Sequence, residues 1–276
     1  KKMKVIARTG RVQNWLDDPT DSLPVSCTIT VVEDSMWGIN GITDSWLFTT
    51  YALQRGAGVA IHLYKLRPKG TIGSTGKIAS GPNAFMPIYS AINDAVKKGN
   101  KYKSGAIVLH NDLSSPDILE FLTMGRDKLQ WVKRCVNLTQ ETWDAAPADV
   151  RNELIKGIAR GDIWLGKIDY DKYGNRLHLN VCLEVRLLNR GTCLLQHINV
   201  SGGQVEDIPK AFADGMTQLV NLHGITGVDQ DGWYRSPGED RQVGLGIIGL
   251  ANLLALEGVT YAQFADALEL PLGSEA

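Results

Sequence analysis

The sequence predicts an α/β fold built on a mostly parallel sheet. Short β-branched runs recur along the chain, at residues 25–32, 59–63 and 106–110. Longer segments with apolar residues at helical spacing lie between them. Strands alternating with helices favour a parallel sheet or barrel. The length of 276 residues and an apolar share of 43% suffice for a sizeable core.

Taken in order, residues 1–26 are polar and turn-rich, with Asp17-Asp18-Pro19 and Leu23-Pro24. The run 25–32 reads as a buried strand, closed by Glu33-Asp34-Ser35, whose side chains can cap a following helix. Ile39, Ile42, Trp46, Leu47 and Leu53 lie near helical spacing and predict a helix over 37–54. Small residues at 56–58 lead into a second strand, 59–63. The stretch 67–77 is a loop rich in glycine and hydroxyls beside Arg67, Lys69 and Lys77; it suits a phosphate, but matches no established phosphate-loop motif.

A helix is predicted over 82–98, then a basic loop over 97–105, a third strand at 106–110, a short helix at 116–124 and a strand over 131–138. Cys135 in that last strand reads as core packing. The region 142–160 contains a helix, clearest over 148–159 and ended by Gly161. A strand-like run at 163–168 and a Gly174-Asn175 turn follow. Two further helices are expected over 207–222 and 242–256, the second carrying Gly244, Gly246 and Gly249 for close packing.

Net charge is −1, which argues against nucleic-acid or anionic-membrane binding by bulk electrostatics. No signal peptide opens the chain and no apolar run reaches the ~18 residues of a membrane span. These features point to a soluble, cytoplasmic protein. The cysteines at 27, 135, 182 and 193 are too few and too scattered for a disulfide scaffold.

The chemistry centres on Asn180-Val181-Cys182-Leu183-Glu184. Read as an extended strand, it puts Asn180, Cys182 and Glu184 on one face, about 7 Å apart in steps of two. Two chemistries compete for these residues. His178, Cys182, Cys193 and His197 form an H-x3-C-x10-C-x3-H set that a zinc ion could use. Alternatively, Cys182 is a reacting thiol and two distant cysteines form a reducing pair. Spacing alone leaves both open.

Four blocks in register carry a family resemblance. They are Asn180–Glu184 as an N-x-C-x-E loop, GAGVAIHLYKLRPKG at 56–70, the 85–122 block ending in PDILEFL, and RQVGLGIIGLA at 241–251. Together they resemble the large, catalytic subunit of ribonucleotide reductase. The resemblance implies part of a ten-stranded α/β barrel with a central finger loop, incomplete on its carboxy-terminal side. It makes residues 1–276 a partial catalytic barrel domain without the amino-terminal ATP cone, either a fragment or half of a split reductase.

The resemblance also implies reduction of ribonucleotides, expected as diphosphates, to 2′-deoxyribonucleotides. Cys182 would carry a thiyl radical, Glu184 would act as base on the 3′-hydroxyl, and Asn180 would orient the substrate. Cys27 and Cys193 would be the dithiol that is oxidised. Ser26 and Gly58 match substrate contacts. Asp34, Ser35 and Arg67, with the loop 70–76, match a deoxynucleotide effector site, and Lys103 stands where many relatives have arginine. No metal is implied in this chain.

The expected radical source is either a metal-containing small subunit, with no cofactor bound here, or adenosylcobalamin. The other implied partners are a second copy in a homodimer, a complementary carboxy-terminal chain, and an external thiol reductant such as thioredoxin. Ala57 and Ala60 depart from the family's glycines, and the step from Glu184 to Cys193 is shorter than in many relatives. A non-catalytic nucleotide-binding role is the alternative from a different functional class.

Overall fold

A computed structural model describes residues 5–20, 22–99, 105–271 and 273. Strand β1 (Ile6–Arg8) and helix α1 (Gly10–Asp17) open the chain. The turn-rich amino-terminal reading missed both; the signal for α1 is Thr9, whose hydroxyl accepts from Val12 N as an N-cap. A parallel array follows: β2 (Cys27–Val31), α2 (Ile42–Gln54), β3 (Gly58–His62), α3 (Met86–Gly99), β4 (Ile107–Asp112), α4 (Ile118–Thr123) and β5 (Lys133–Leu138). Helices α5 (Gln140–Ala145) and α6 (Ala148–Ala159) then lead to β6 (Ile163–Lys167).

Helix α2 starts at Ile42 rather than residue 37, because Gly38 turns with φ 97° and Gly41 is the extended N-cap. The helical region after residue 138 is two helices, split where Pro147 removes a backbone donor. Gly161, at φ 71°, stops α6 as expected.

A small antiparallel sheet of β7 (Asp169–Tyr170), β8 (Arg176–Leu179) and β9 (Arg186–Leu187) comes next. The chain ends with β10 (Thr192–Asn199), α7 (Ile208–Ile225), β11 (Arg241–Ile248), α8 (Leu250–Glu257) and α9 (Tyr261–Leu268). The helix expected over 242–256 is therefore corrected: its first half is strand β11, parallel to β10 along its whole length. Val243, Leu245 and Ile247 alternate with glycines at the period of a strand. A Cβ at Gly244 would lie 2.5 Å from Leu195 and one at Gly246 2.8 Å from His197, so the glycines serve close packing between strands.

The main sheet runs β1-β10-β2-β3-β4-β5-β6, with β11 also on β10. Strands β2 to β6 are all parallel, while β10 is antiparallel to β2 and β1. The result is an open half-barrel of the α/β class the sequence predicts.

Alternation along the strands divides the core into two layers. Val59, Ile61, Ile107, Leu109 and Val136 pack against the helices with Phe48, Leu53, Tyr89, Phe121 and Leu154. Cys27, Ile29, Val31, Ala60, Val108 and Cys135 face the other way, where the β8–β9 hairpin brings Val181 and Leu187 onto them. Burying several such side chains at about 1.5–3 kcal/mol each presses the hairpin onto the concave face.

Candidate functional site

The stretch Asn180–Glu184 is not an extended strand. It is the tip of the β8–β9 hairpin, closed by Asn180 N–H donating to Val185 O at 3.0 Å, with Leu183 at φ 68°. Strand alternation therefore does not align its polar side chains. The turn brings them together instead: Asn180 Nδ2 donates to Glu184 Oε1 at 2.9 Å, and Asn180 Oδ1 accepts from Val185 N. Asn180 is fully buried, while Cys182 and Glu184 are exposed at the tip.

Cys27 rises from β2 to meet this tip. Its sulfur, the Cys182 sulfur and a Glu184 carboxylate oxygen all lie within 4.8 Å of one another. Across the antiparallel β2–β10 pair, Cys27 stands directly opposite Cys193. Opposed Cα atoms in such pairs are about 4.5–5.5 Å apart, within the ~4.4–6.8 Å range of a disulfide. Both are buried free thiols. Ser26 ties the strands further, its N–H donating to Cys193 O and its carbonyl accepting from Gly58 N–H, each at 3.0 Å.

The surroundings of Cys182 and Cys27 disfavour ionisation of both thiols. The Cys182 thiol is raised far above its ordinary value by its hydrogen bond to Cys27, then by burial and by the negative charges of Cys27 and Glu184. For Cys27, the hydrogen bond from Cys182 pulls the value down. Its contact with Cys193, burial and the charges of Cys193 and Glu184 outweigh that pull and raise it. A Cys182 thiol raised in this way is poorly suited to act as a thiolate nucleophile. Cys135 is a separate case: fully buried, pushed up to about 12 by burial, it packs beside Gly166 on the inner face.

Ser26, Cys27, Gly58 and Cys182 line a cavity of about 200 Å³ together with Arg11, Gly105 and Val181. The backbone must approach closely here, since a Cβ on Gly58 would come within 3.1 Å of Val181. The structure thus brings Ser26, Cys27, Gly58, Asn180, Cys182, Glu184 and Cys193 to one place.

The other predicted set lies at the far ends of β2 and β3. Asp34 accepts from Arg67 Nε at 2.7 Å and from Arg67 N at 3.1 Å, and Ser35 Oγ donates to Trp37 O. The loop 70–76 folds over with an Ile72–Ile78 bridge. Lys103 lies outside the described residues. The four-residue zinc set is not assembled. His178 pairs with the Tyr64 hydroxyl and His197 pairs with Ala7 in the β10–β1 ladder. Among the described residues the grouping with metal-ligand spacing is Cys27, Cys182 and Glu184.

Sequence reasoning missed the support beneath the hairpin. Arg176 of β8 makes a two-pronged contact to Asp112 of β4, both bonds 2.7 Å, and stacks on Tyr64 at 3.9 Å. His62 stacks on His110 at 4.1 Å, meets His178 edge-on at 4.8 Å, and hydrogen-bonds Leu179 O. Arg11 was also missed, because α1 was not anticipated.

The fold is an α/β half-barrel with a thiol, Cys182, on a hairpin across its concave face, set against Cys27 and Cys193. Residues 25–156 match the family model "Ribonucleotide reductase, barrel domain". A vitamin B12-dependent ribonucleoside-diphosphate reductase of Mycobacterium tuberculosis is 29% identical, over 87% of this chain and 40% of its own length. A protein of the same name from Thermoplasma acidophilum is 27% identical, over 89% of this chain and 36% of its own. The class Id ribonucleotide reductase alpha subunit of Actinobacillus ureae shares the fold, with a TM-score of 0.66 over 95% of this chain and 54% of that one, at 18% identity. The chain is similar to ribonucleotide reductase large subunits, and it spans well under half the length of the curated relatives it matches. No helix among the described residues is long and apolar enough to cross a membrane.

Proposed function

We propose that this chain carries the central chemistry of ribonucleotide reduction, with the substrate ribose in the cavity beside Cys182. The observation that carries the reading is the convergence of Cys27, Cys182 and Glu184 within 4.8 Å, with Cys193 opposite Cys27. A Cys182 thiyl radical takes the 3′ hydrogen, and Glu184 accepts the 3′-hydroxyl proton. The 2′-hydroxyl then leaves as water, taking a proton from the Cys27–Cys193 dithiol. That dithiol supplies two electrons and its second hydrogen to C2′ and closes to a disulfide, Glu184 returns its proton to the 3′ oxygen, and Cys182 returns its hydrogen to C3′. Atoms balance: ribonucleotide plus dithiol becomes deoxyribonucleotide, disulfide and water. Asn180 keeps Glu184 turned toward the substrate by their 2.9 Å hydrogen bond.

Cys182 is the exposed member of the thiol group, so an external radical source reaches it without crossing the core. Adenosylcobalamin would supply that radical if this chain follows the two relatives named vitamin B12-dependent; a separate radical-bearing subunit is the other source. Diphosphate substrates follow from the same relatives' names. Asp34, Ser35, Arg67 and Lys103 are assigned to a deoxynucleotide effector, supported by the convergence of Asp34 and Arg67 under the glycine-rich loop. Homodimer formation and an external thiol reductant such as thioredoxin complete the reading.

The test is single-turnover peptide mapping in the assembled enzyme under anaerobic conditions. The native sequence should form deoxyribonucleotide together with a Cys27–Cys193 disulfide. Cys182→Ser should form neither, and Cys135→Ala should form both. Nucleotide binding without product or disulfide in the native protein would instead mark a non-catalytic nucleotide-binding chain.

A further inference from the structure

We propose that Arg11 is a substrate-binding residue that receives the phosphate of the nucleotide in the Cys182 cavity. The proposal rests on reading that cavity as a ribonucleotide site. Arg11 lies in α1, far in sequence from the hairpin, yet its side chain lines the same cavity as Cys27 and Cys182. It is the charged residue of that lining, and it is half-buried. Its guanidinium lies flat against Gly56: a Cβ there would sit 1.6 Å from Arg11 Nη1. Gly56 also adopts φ 97°, so two requirements for glycine coincide where the arginine enters.

Among the described residues Arg11 donates no hydrogen bond and forms no ion pair. The contrast with its peers is direct: Arg176 has Asp112, Arg190 has Asp44 and Arg67 has Asp34. Burial lowers the Arg11 pKa, opposed by Tyr234 and Cys27, which means that the protein itself supplies too little negative charge to offset desolvation. A half-buried cation facing an open cavity is satisfied by an anionic ligand. A guanidinium fork matches two phosphate oxygens, whereas the neutral ribose and base offer no charge to pair with it. The nearby acidic group, Glu184, is at the hairpin tip with Asn180 and the thiols.

The experiment measures protection of Cys182 from hydroxyl-radical oxidation, which does not require the thiolate, in the reduced chain, read on the Cys182 peptide by mass spectrometry. Protection reports occupancy of this cavity and not of the Asp34–Arg67 region. Cytidine diphosphate, cytidine and inorganic pyrophosphate are titrated against the native protein, Arg11→Met and Arg11→Lys, with thermal unfolding as the check on folding. The expected result is a loss of at least tenfold in cytidine diphosphate affinity for Arg11→Met, less than twofold for cytidine, and partial recovery in Arg11→Lys. Pyrophosphate should compete in the native protein and not in Arg11→Met. Equal weakening of cytidine and cytidine diphosphate would overturn the phosphate assignment, and unchanged protection in a folded Arg11→Met would show that Arg11 only packs on Gly56. If the native protein is protected by none of the three, the ribonucleotide reading of the cavity fails, and this inference with it.

Discussion

Replacing Asp112 by Asn removes one charge from the contact that fastens the hairpin to the barrel wall. Arg176 and Asp112 meet through two 2.7 Å bonds, and their side chains are 14% and 13% exposed. Such a pair is closer to the buried than to the surface case. Breaking a buried pair from one side costs about 3–5 kcal/mol, against ~0–1 for a surface pair. Partial exposure and the surviving Asn–Arg hydrogen bond set the expected loss near the lower end, at roughly 3 kcal/mol. The stack of Arg176 on Tyr64 is untouched by the substitution, so the loss reports the ion pair.

Urea unfolding measures the change, read at constant m so that only stability is compared. The companion variant Arg176→Met removes the stranded cation, and the double variant should recover a large part of the loss, with a coupling energy of about 2 kcal/mol. A single Asp112→Asn variant within ~1 kcal/mol of the native protein would refute the argument, because the pair would then behave as a surface contact. Additivity in the double variant would refute it equally.

Two further outcomes follow from the same region. His62 is held well below its ordinary value, and His110 and His178 are lowered to about 4 and about 3, in each case mainly by burial. Unfolded, they bind protons below about pH 6.5. Stability should therefore fall as pH drops from about 6.5 toward 4, by up to ~1.4 kcal/mol per unit for each histidine, and His110→Asn should flatten that slope in urea titrations at stepped pH. Gly166→Ala should destabilise by about 1–3 kcal/mol in thermal unfolding, since the new Cβ would lie 2.4 Å from Asn137 Oδ1 and 2.8 Å from Leu179 at the base of the hairpin.

Local chemistry made much of this protein legible before any coordinates. The β-branched runs at β2, β3 and β4, the glycine that stops α6, and the packing of Cys135 in the core follow from period, turn chemistry and residue type. The N-x-C-x-E block was singled out by its family resemblance, since spacing alone left its chemistry open. Where the reading failed, long-range pairing overrode local preference. Residues 241–248 look helical by their small and apolar content, but β10 offers a parallel edge along eight residues, and the glycines fit against Leu195 and His197. Asn180, Cys182 and Glu184 do converge, although through a hairpin turn with Leu183 at φ 68° and not through strand alternation.

The α/β class, the order of most elements and the residue types of the candidate site were legible from neighbours in the chain. Folding set the cross-strand register of Cys27 and Cys193, a pair the family resemblance had named, and brought Arg11 into the Cys182 cavity and Arg176 to Asp112 beneath it. Those contacts depend on strand order and register, which follow from how the whole sheet buries its two faces.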